Sequence, residues 1–290
     1  MTIEIKDLTV QFRNGTTAVN HMNMKFDEGI YGLLGENGAG KTTFMRVLTT
    51  ILKPTSGQVM LNGIELKESN YSEIQKLIGY LPQELGLYPN LTVRESLEYM
   101  GGLSGLTKKD CKRQIDYYLE KTSLTGHEKK KNRQLSGGMK RRVGLIQAIL
   151  HDPKILIVDE PTTGLDPEER IRIRNLLVDF SRDRTVLFST HVVEDLSATC
   201  STLAILKKGN LIYDGKVASL LKQAKEHIWI CKLKDEDEFY KMQKQYTVSS
   251  KQYTEDGLVV KIITVQKPEV SCKPIEATLE DAYIYVMNQT

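Results

Sequence analysis

The stretch Ile30-Tyr31-Gly32-Leu33-Leu34, Gly35-Glu36-Asn37-Gly38-Ala39-Gly40-Lys41-Thr42, and then Phe44, Val47, Leu48, Ile51 and Leu52 before Pro54 decides the fold. Its first five residues are a short, continuously apolar run that reads as a buried strand. After Thr42 the apolar residues recur at helical spacing, which predicts a helix reaching toward Pro54. The glycine-rich loop between them fits G-x-x-x-x-G-K-[ST], and it has the strand and helix context that this motif requires. There the glycines let backbone N–H groups converge on nucleotide phosphates, the helix start adds positive potential, and Lys41 supplies a point charge. Thr42 offers its hydroxyl to Mg²⁺, and Thr43 is taken with the loop among the residues that bind the nucleotide.

Working outward, the stripe Met139, Val143, Ile146 and Leu150 marks a helix stopped at Asp152-Pro153. Ile155-Leu156-Ile157-Val158 follows as a buried strand ending in Asp159 and Glu160. Asp166 as N-cap and Pro167 in the first turn open a helix to about Phe180, and Thr185 to Ser189 is a further buried strand ending near His191. Alternating buried strands and helices imply a parallel sheet with ligands at the carboxyl ends of its strands. Asp159 is therefore placed to hold the water shell of magnesium, and Glu160 to act as general base beside the γ-phosphate. Upstream, IEIKDLTVQF and MNMKF flank a turn at Arg13-Asn14-Gly15 and read as an antiparallel hairpin.

From Tyr71 to Leu124 the pattern is mostly helical, with capping pairs at Thr92-x-x-Glu95 and Thr107-x-x-Asp110 and with Ile115, Tyr118 and Leu119 on one face, so it reads as a helical insertion. After Asp214-Gly215 the style changes. An alternating run from His227 to Leu233, a charged helical stretch from Asp235 to Tyr246, a strand from Leu258 to Val265 and a last helix from about Glu276 suggest a small α+β appendage beginning near Leu221. Trp229 and the tyrosines of that last helix are expected in its core.

Composition closes off other classes. With 40% hydrophobic and 27% charged residues the 290-residue chain is neither disordered nor of low complexity, and a net charge of +3 leaves no footprint for nucleic acid. Cys111, Cys200, Cys231 and Cys272 lie far apart without C-x-x-C spacing, so neither a zinc site nor a disulfide framework is expected, and the thiols read as reduced. The start MTIEIKDLTV lacks an apolar signal core and no run approaches ~18 apolar residues, so any role at a membrane is expected to be borrowed from a partner.

A phosphate loop and an acidic strand end do not separate a transporter ATPase from a kinase, GTPase or helicase. The segment Leu135-Ser136-Gly137-Gly138-Met139 does, because it builds a second anion-binding helix start just before Asp159. A nucleotide already held by one phosphate loop has no use for it in the same subunit, so it is expected to close on the nucleotide of a neighbour.

With these motifs in this order, residues 1 to about 220 resemble the ATP-binding subunit of an ABC transporter. The resemblance implies a P-loop NTPase fold of the ABC type: an α/β, RecA-like core with an antiparallel β subdomain and a helical subdomain at about 90–150, followed by the 221–290 appendage. It implies that adenine stacks on Phe12, and that Gln83 in Tyr80-Leu81-Pro82-Gln83 touches magnesium and the lytic water and couples the site to the membrane partner. By the same resemblance Ser136, Gly137 and Gly138 reach the γ-phosphate of the opposite subunit, Asp166 lies in the loop joining the two sites, and His191 contacts the γ-phosphate and orients the water.

The implied cofactors are ATP and Mg²⁺. The implied partners are a multi-spanning permease subunit and a second ABC ATPase, identical or homologous, at the inner face of the cell membrane. Two features depart from the commoner pattern. Glu36 stands where relatives often carry proline and is expected to face water. The tail Met139-Lys140-Arg141-Arg142 resembles ATPases that export drugs, bacteriocins, polysaccharide or sodium, the ABC-2 type. The alternatives are a non-transport ABC ATPase of the translation or repair type, and a nucleotide-gated regulator.

Overall fold

Alternating and continuous apolar patterns build two kinds of sheet in this chain. The computed structural model describes residues 2–255, 257–268 and 272–289. Strands β1 (Ile3–Gln11) and β2 (Thr17–Phe26) form the N-terminal hairpin, with Ile3, Ile5, Leu8 and Val10 turned inward. β3 (Gly29–Leu34) leads through the glycine loop into α1 (Lys41–Leu48), and β4 (Ser56–Leu61) and β5 (Ile64–Glu65) complete an antiparallel sheet in the order β2-β1-β4-β5.

Next come α2 (Tyr71–Leu77) and β6 (Ile78–Leu81), followed by the helical layer α3 (Val93–Leu103), α4 (Lys108–Lys121) and α5 (Gly137–Ile149). That layer closes over Val93, Leu97, Ile115, Leu119, Val143 and Ile146. A reciprocal capping box between Thr92 and Glu95 starts α3, and the Thr107 hydroxyl caps α4.

β7 (Ile155–Asp159), α6 (Pro167–Phe180), β8 (Thr185–Thr190) and α7 (Val193–Ser197) follow, and every residue of β7 and β8 is buried. The parallel strands lie in the order β3-β8-β7-β6, with Leu34 opposite Thr190, Asp159 opposite Ser189 and Leu81 opposite Val158. This register delivers the Gly35 loop, His191, Glu160 and the Pro82-Gln83 loop to one edge of the sheet. Four separate stretches of sequence thus meet where a parallel sheet binds its ligands.

The chain divides into two compact units, Met1–Cys200 with Leu206–Leu211, and Ser201–Ile205 with Ile212–Thr290, so β9 (Thr202–Lys207) and β10 (Asn210–Lys216) contribute to both. The second unit also holds α8 (Val217–Ala224), β11 (Ile228–Leu233), α9 (Glu236–Gln245), β12 (Thr247–Thr254), β13 (Gly257–Ile263), β14 (Cys272–Pro274) and α10 (Leu279–Gln289). Its antiparallel sheet runs β12-β13-β11-β14, and α9 covers Cys231, Leu258, Val260 and Ile262 through Phe239 and Met242. Thr278 and buried Asp281 cap α10 reciprocally, Tyr285 stacks on His227, and half-buried Trp229 packs against the core.

Three expectations are corrected. Helix α1 stops at Leu48 rather than continuing toward Pro54, because the Thr49 hydroxyl donates back to the carbonyls of Met45 and Arg46 and Thr50 turns to φ 63°, which leaves Ile51 62% exposed. Strand β6 lies inside a stretch read as mostly helical. It spans only four residues and needs Gly79, where a Cβ would stand 2.1 Å from the Ala148 carbonyl. Cys231 and Cys272 form a disulfide, although 41 residues separate them, because the antiparallel register of β11 and β14 sets them directly opposite. Cys111 and Cys200 are buried free thiols.

Candidate functional site

The phosphate loop is shaped by backbone geometry before any side chain acts. Gly40 caps α1 at φ 105° and a Cβ there would sit 2.1 Å from the Ala18 carbonyl, so only glycine fits. Lys41, buried at the first helical position, curls over the loop. Its ammonium donates to the carbonyls of Gly35 (2.5 Å) and Glu36 (3.2 Å) and lies 3.4 Å from Glu160 Oε1.

Glu160 sits one residue beyond β7 at φ 46°, a left-handed conformation that costs a non-glycine residue about 1–3 kcal/mol and marks a site held by its surroundings. The Ser189 side chain supplies much of that hold. Its hydroxyl accepts from the Glu160 N–H at 3.0 Å and donates to Asp159 Oδ1 at 2.6 Å. The Glu160 carboxylate is then ringed by donors: the Thr163 hydroxyl at 2.9 Å, Gln83 Nε2 at 3.5 Å and His191 Nδ1 at 3.0 Å all meet Oε2. Burial pushes this carboxyl up, but the contacts with His191, Thr163 and Lys41 outweigh it and hold Glu160 below the ordinary glutamate value. It therefore stands ionised at neutral pH, as a proton acceptor must.

A cavity of about 380 Å³ is lined by Phe12, Ala18, Glu36, Asn37, Gly38, Ala39, Gly40, Lys41, Thr42, Thr43, Gln83 and Glu160. Phe12 is 42% exposed, and Glu36 is exposed as expected. Gly35 lies under the loop, where a Cβ would meet the Leu206 carbonyl. His191 reaches the cavity through its contact with Glu160.

Ser136, Gly137, Gly138 and Asp166 do not line this cavity. Ser136 caps α5 by accepting from the Met139 N–H, and Gly138 lies against the Glu169 side chain. Asp166 caps α6 and is exposed.

Magnesium fits the residues present. Asp159 is fully buried at the end of β7, and its Oδ2 has no hydrogen-bond partner. An orphaned carboxylate oxygen of this kind suits a hard cation that takes one or two protein ligands and completes its shell with water and phosphate. Among the described residues no group of three or more His, Cys, Asp or Glu could hold a metal unaided.

Ser189, Thr163 and Arg141 were missed by motif reading. Only their position in a strand end, a loop and an arginine pair signalled them, and the buried side of α5 is where a charged residue is least expected. A second concavity of about 650 Å³ adjoins the Gln83 loop, lined by Pro82, by apolar groups such as Leu85, Met100 and Leu103, and by polar ones including Gln75, Lys76, Gln147 and His151.

A phosphate loop at a sheet edge, facing an ionised carboxylate one residue beyond a buried strand, defines a nucleotide-binding ATPase of the P-loop class. The chain belongs to the ABC transporter ATP-binding family: the family described as "ABC transporter" matches residues 19–163. The ABC transporter ATP-binding protein YxlF of Bacillus subtilis is 36% identical, with 84% of this chain and 81% of that protein covered. The bacitracin transport ATP-binding protein BcrA of Bacillus licheniformis is 34% identical over 89% of this chain and 83% of its own length. The dimeric structure of the bacterial ABC transporter cassette MJ0796 is 25% identical with a TM-score of 0.68, covering 74% of this chain and 98% of that one. The protein is thus an ATP-hydrolysing subunit of an ABC transporter. No helix among the described residues is long and apolar enough to cross a membrane.

Proposed function

We propose that this chain is the motor subunit of an exporter, that two ABC ATPase chains sandwich two MgATP, and that closure drives a separate membrane permease. The observation that carries this reading is the division of the site. Lys41, Thr42, Gln83 and Glu160 share one cavity, while the anion-binding start of α5 at Ser136 lies outside it. In this reading Ser136, Gly137 and Gly138 cover the γ-phosphate held by the partner's loop, and Asp166 joins the two sites.

Adenine stacks on Phe12, the amides from Gly35 to Thr43 and the Lys41 ammonium hold the phosphates, and Gln83 and His191 orient a water. Glu160 takes a proton from that water as its oxygen bonds to the γ-phosphorus and the bond to the ADP oxygen breaks. Thr42, Asp159 and Gln83 would hold Mg²⁺, which neutralises charge on the phosphate oxygens when bound.

The concavity beside Pro82, with its mixed apolar and polar lining, seats a cytoplasmic segment of the permease, so that movement there is felt at Gln83. Residues 221–290 form an accessory domain. The name of BcrA supports a transport role, and the export direction is supported by the Met139 to Arg142 tail.

Replacing Glu160 with Gln tests the reading. Turnover is expected to fall by about 10²–10⁴-fold while ATP induces a stable dimer in size-exclusion chromatography with light scattering. Unchanged hydrolysis would remove Glu160 from its role, and a monomer at saturating ATP would remove the sandwich.

A further inference from the structure

Arg141 makes contacts that neither the catalytic motifs nor the family assignment accounts for. It lies in α5, five residues after Ser136, with only 6% of its surface exposed. A guanidinium has five N–H donors in a fixed planar fork, and here each is used on a backbone carbonyl. Nε donates to Pro161 at 3.0 Å, one terminal nitrogen to Pro82 at 3.0 Å and Gln83 at 2.7 Å, and the other to Asp159 at 2.7 Å and Glu160 at 2.5 Å. Burial pulls its pKa down to about 10 against the opposing pull of the Asp159 and Glu160 charges, so it remains a cation at neutral pH. Its neighbour Arg142 points elsewhere, pairing with Glu169 of α6 at 3.1 Å.

The five carbonyls belong to two segments that follow neighbouring parallel strands, and whose side chains meet at the 3.5 Å contact between Gln83 and Glu160. One is the loop after β6, carrying Gln83. The other is the turn after β7, carrying Glu160 in its left-handed conformation. A single rigid fork therefore sets the spacing of the water-orienting amide and the proton acceptor.

We propose that Arg141 is a positioning residue for ATP hydrolysis, clamping the Gln83 loop to the Glu160 turn so that both side chains face the same water. It touches neither nucleotide nor water itself, and the proposal rests on the roles given above to Gln83 and Glu160. Lysine cannot reproduce the clamp, because an ammonium offers three donors from one point where five are needed across two segments. Neither can glutamine, whose amide has two donors.

The test is steady-state ATP hydrolysis by the full chain carrying Arg141→Lys or Arg141→Gln, with binding of a fluorescent ATP analogue measured alongside. For a group that misplaces the reacting residues without touching substrate, kcat is expected to fall about ten- to a hundredfold, with KM and analogue affinity within about twofold of wild type. The lysine variant should retain more activity than the glutamine variant. In a Gln83→Ala background the Arg141→Lys loss should shrink to under about threefold, since the residue it positions is already gone.

An unchanged kcat, a change confined to KM, or a loss undiminished in the Gln83→Ala background would overturn the proposal. Failure of both Arg141 variants to bind the analogue would overturn it too, by making the residue a strut of the fold. Gln83→Ala and Glu160→Gln measured alone separate the two readings. If they leave kcat intact, the roles of Gln83 and Glu160 fall and the clamp with them; if they lower it strongly while Arg141→Lys leaves it within about twofold of wild type, the clamp alone falls.

Discussion

The starts of α1 and α5 are both glycine-rich helix N-termini suited to anions, yet they are furnished differently. At α1 the backbone is joined by a buried lysine, a carboxylate 3.4 Å away and a cavity of about 380 Å³. At α5 there are only a serine cap, two glycines and open surroundings at Gly137, where a Cβ would find nothing closer than Leu165 at 4.0 Å. The first is a site with its own chemistry. The second lacks that chemistry, as the proposed lid on a partner's nucleotide requires. One chain carries both halves, and they do not meet in it.

Breaking the first half should have the largest effect. Glu160→Gln is expected to lower kcat by about 10²–10⁴-fold, the range for removing a general base, with analogue binding retained. Lys41→Ala should weaken analogue binding about 10–100-fold, since charge-assisted hydrogen bonds to phosphate are lost and nothing at α5 replaces them. Ser136→Ala sharpens the contrast. It should leave analogue binding by the isolated chain unchanged while kcat falls about tenfold, and urea titration should show about 1 kcal/mol of lost stability from the missing cap.

The smallest effect concerns pH. Glu160 is held below its ordinary value of 4.5, so the folded chain releases this proton more readily than the unfolded one. The stability it contributes is present above the ordinary value and is lost as pH falls through the folded value. Stepped acid titration in urea should therefore show wild type losing more stability than Glu160→Gln in that window, with parallel curves at neutral pH.

How much of this was legible depends on range. The phosphate loop, the strand end at Asp159 and Glu160, and the caps at Asp166, Thr92 and Thr107 were readable because each is a local event, completed within a few residues. The ends of β3, β6, β7 and β8 converge by sheet register, which sequence reveals only where the strand is long and continuously apolar. Four-residue β6, with its glycine, did not qualify. The Cys231–Cys272 bridge was invisible for the same reason, since it is made by pairing β11 with a three-residue strand. Arg141 is the sharpest case. An arginine in a basic tail reads as solvated, and its five carbonyl partners lie 18 to 59 residues away in sequence.

The most direct measurement is the structure of Glu160→Gln trapped with MgATP. Two molecules should face each other, with every γ-phosphate between Lys41 of one copy and the Ser136 hydroxyl of the other. A trapped complex in which each nucleotide is enclosed by a single copy, with Ser136 far from any phosphate, would contradict the account.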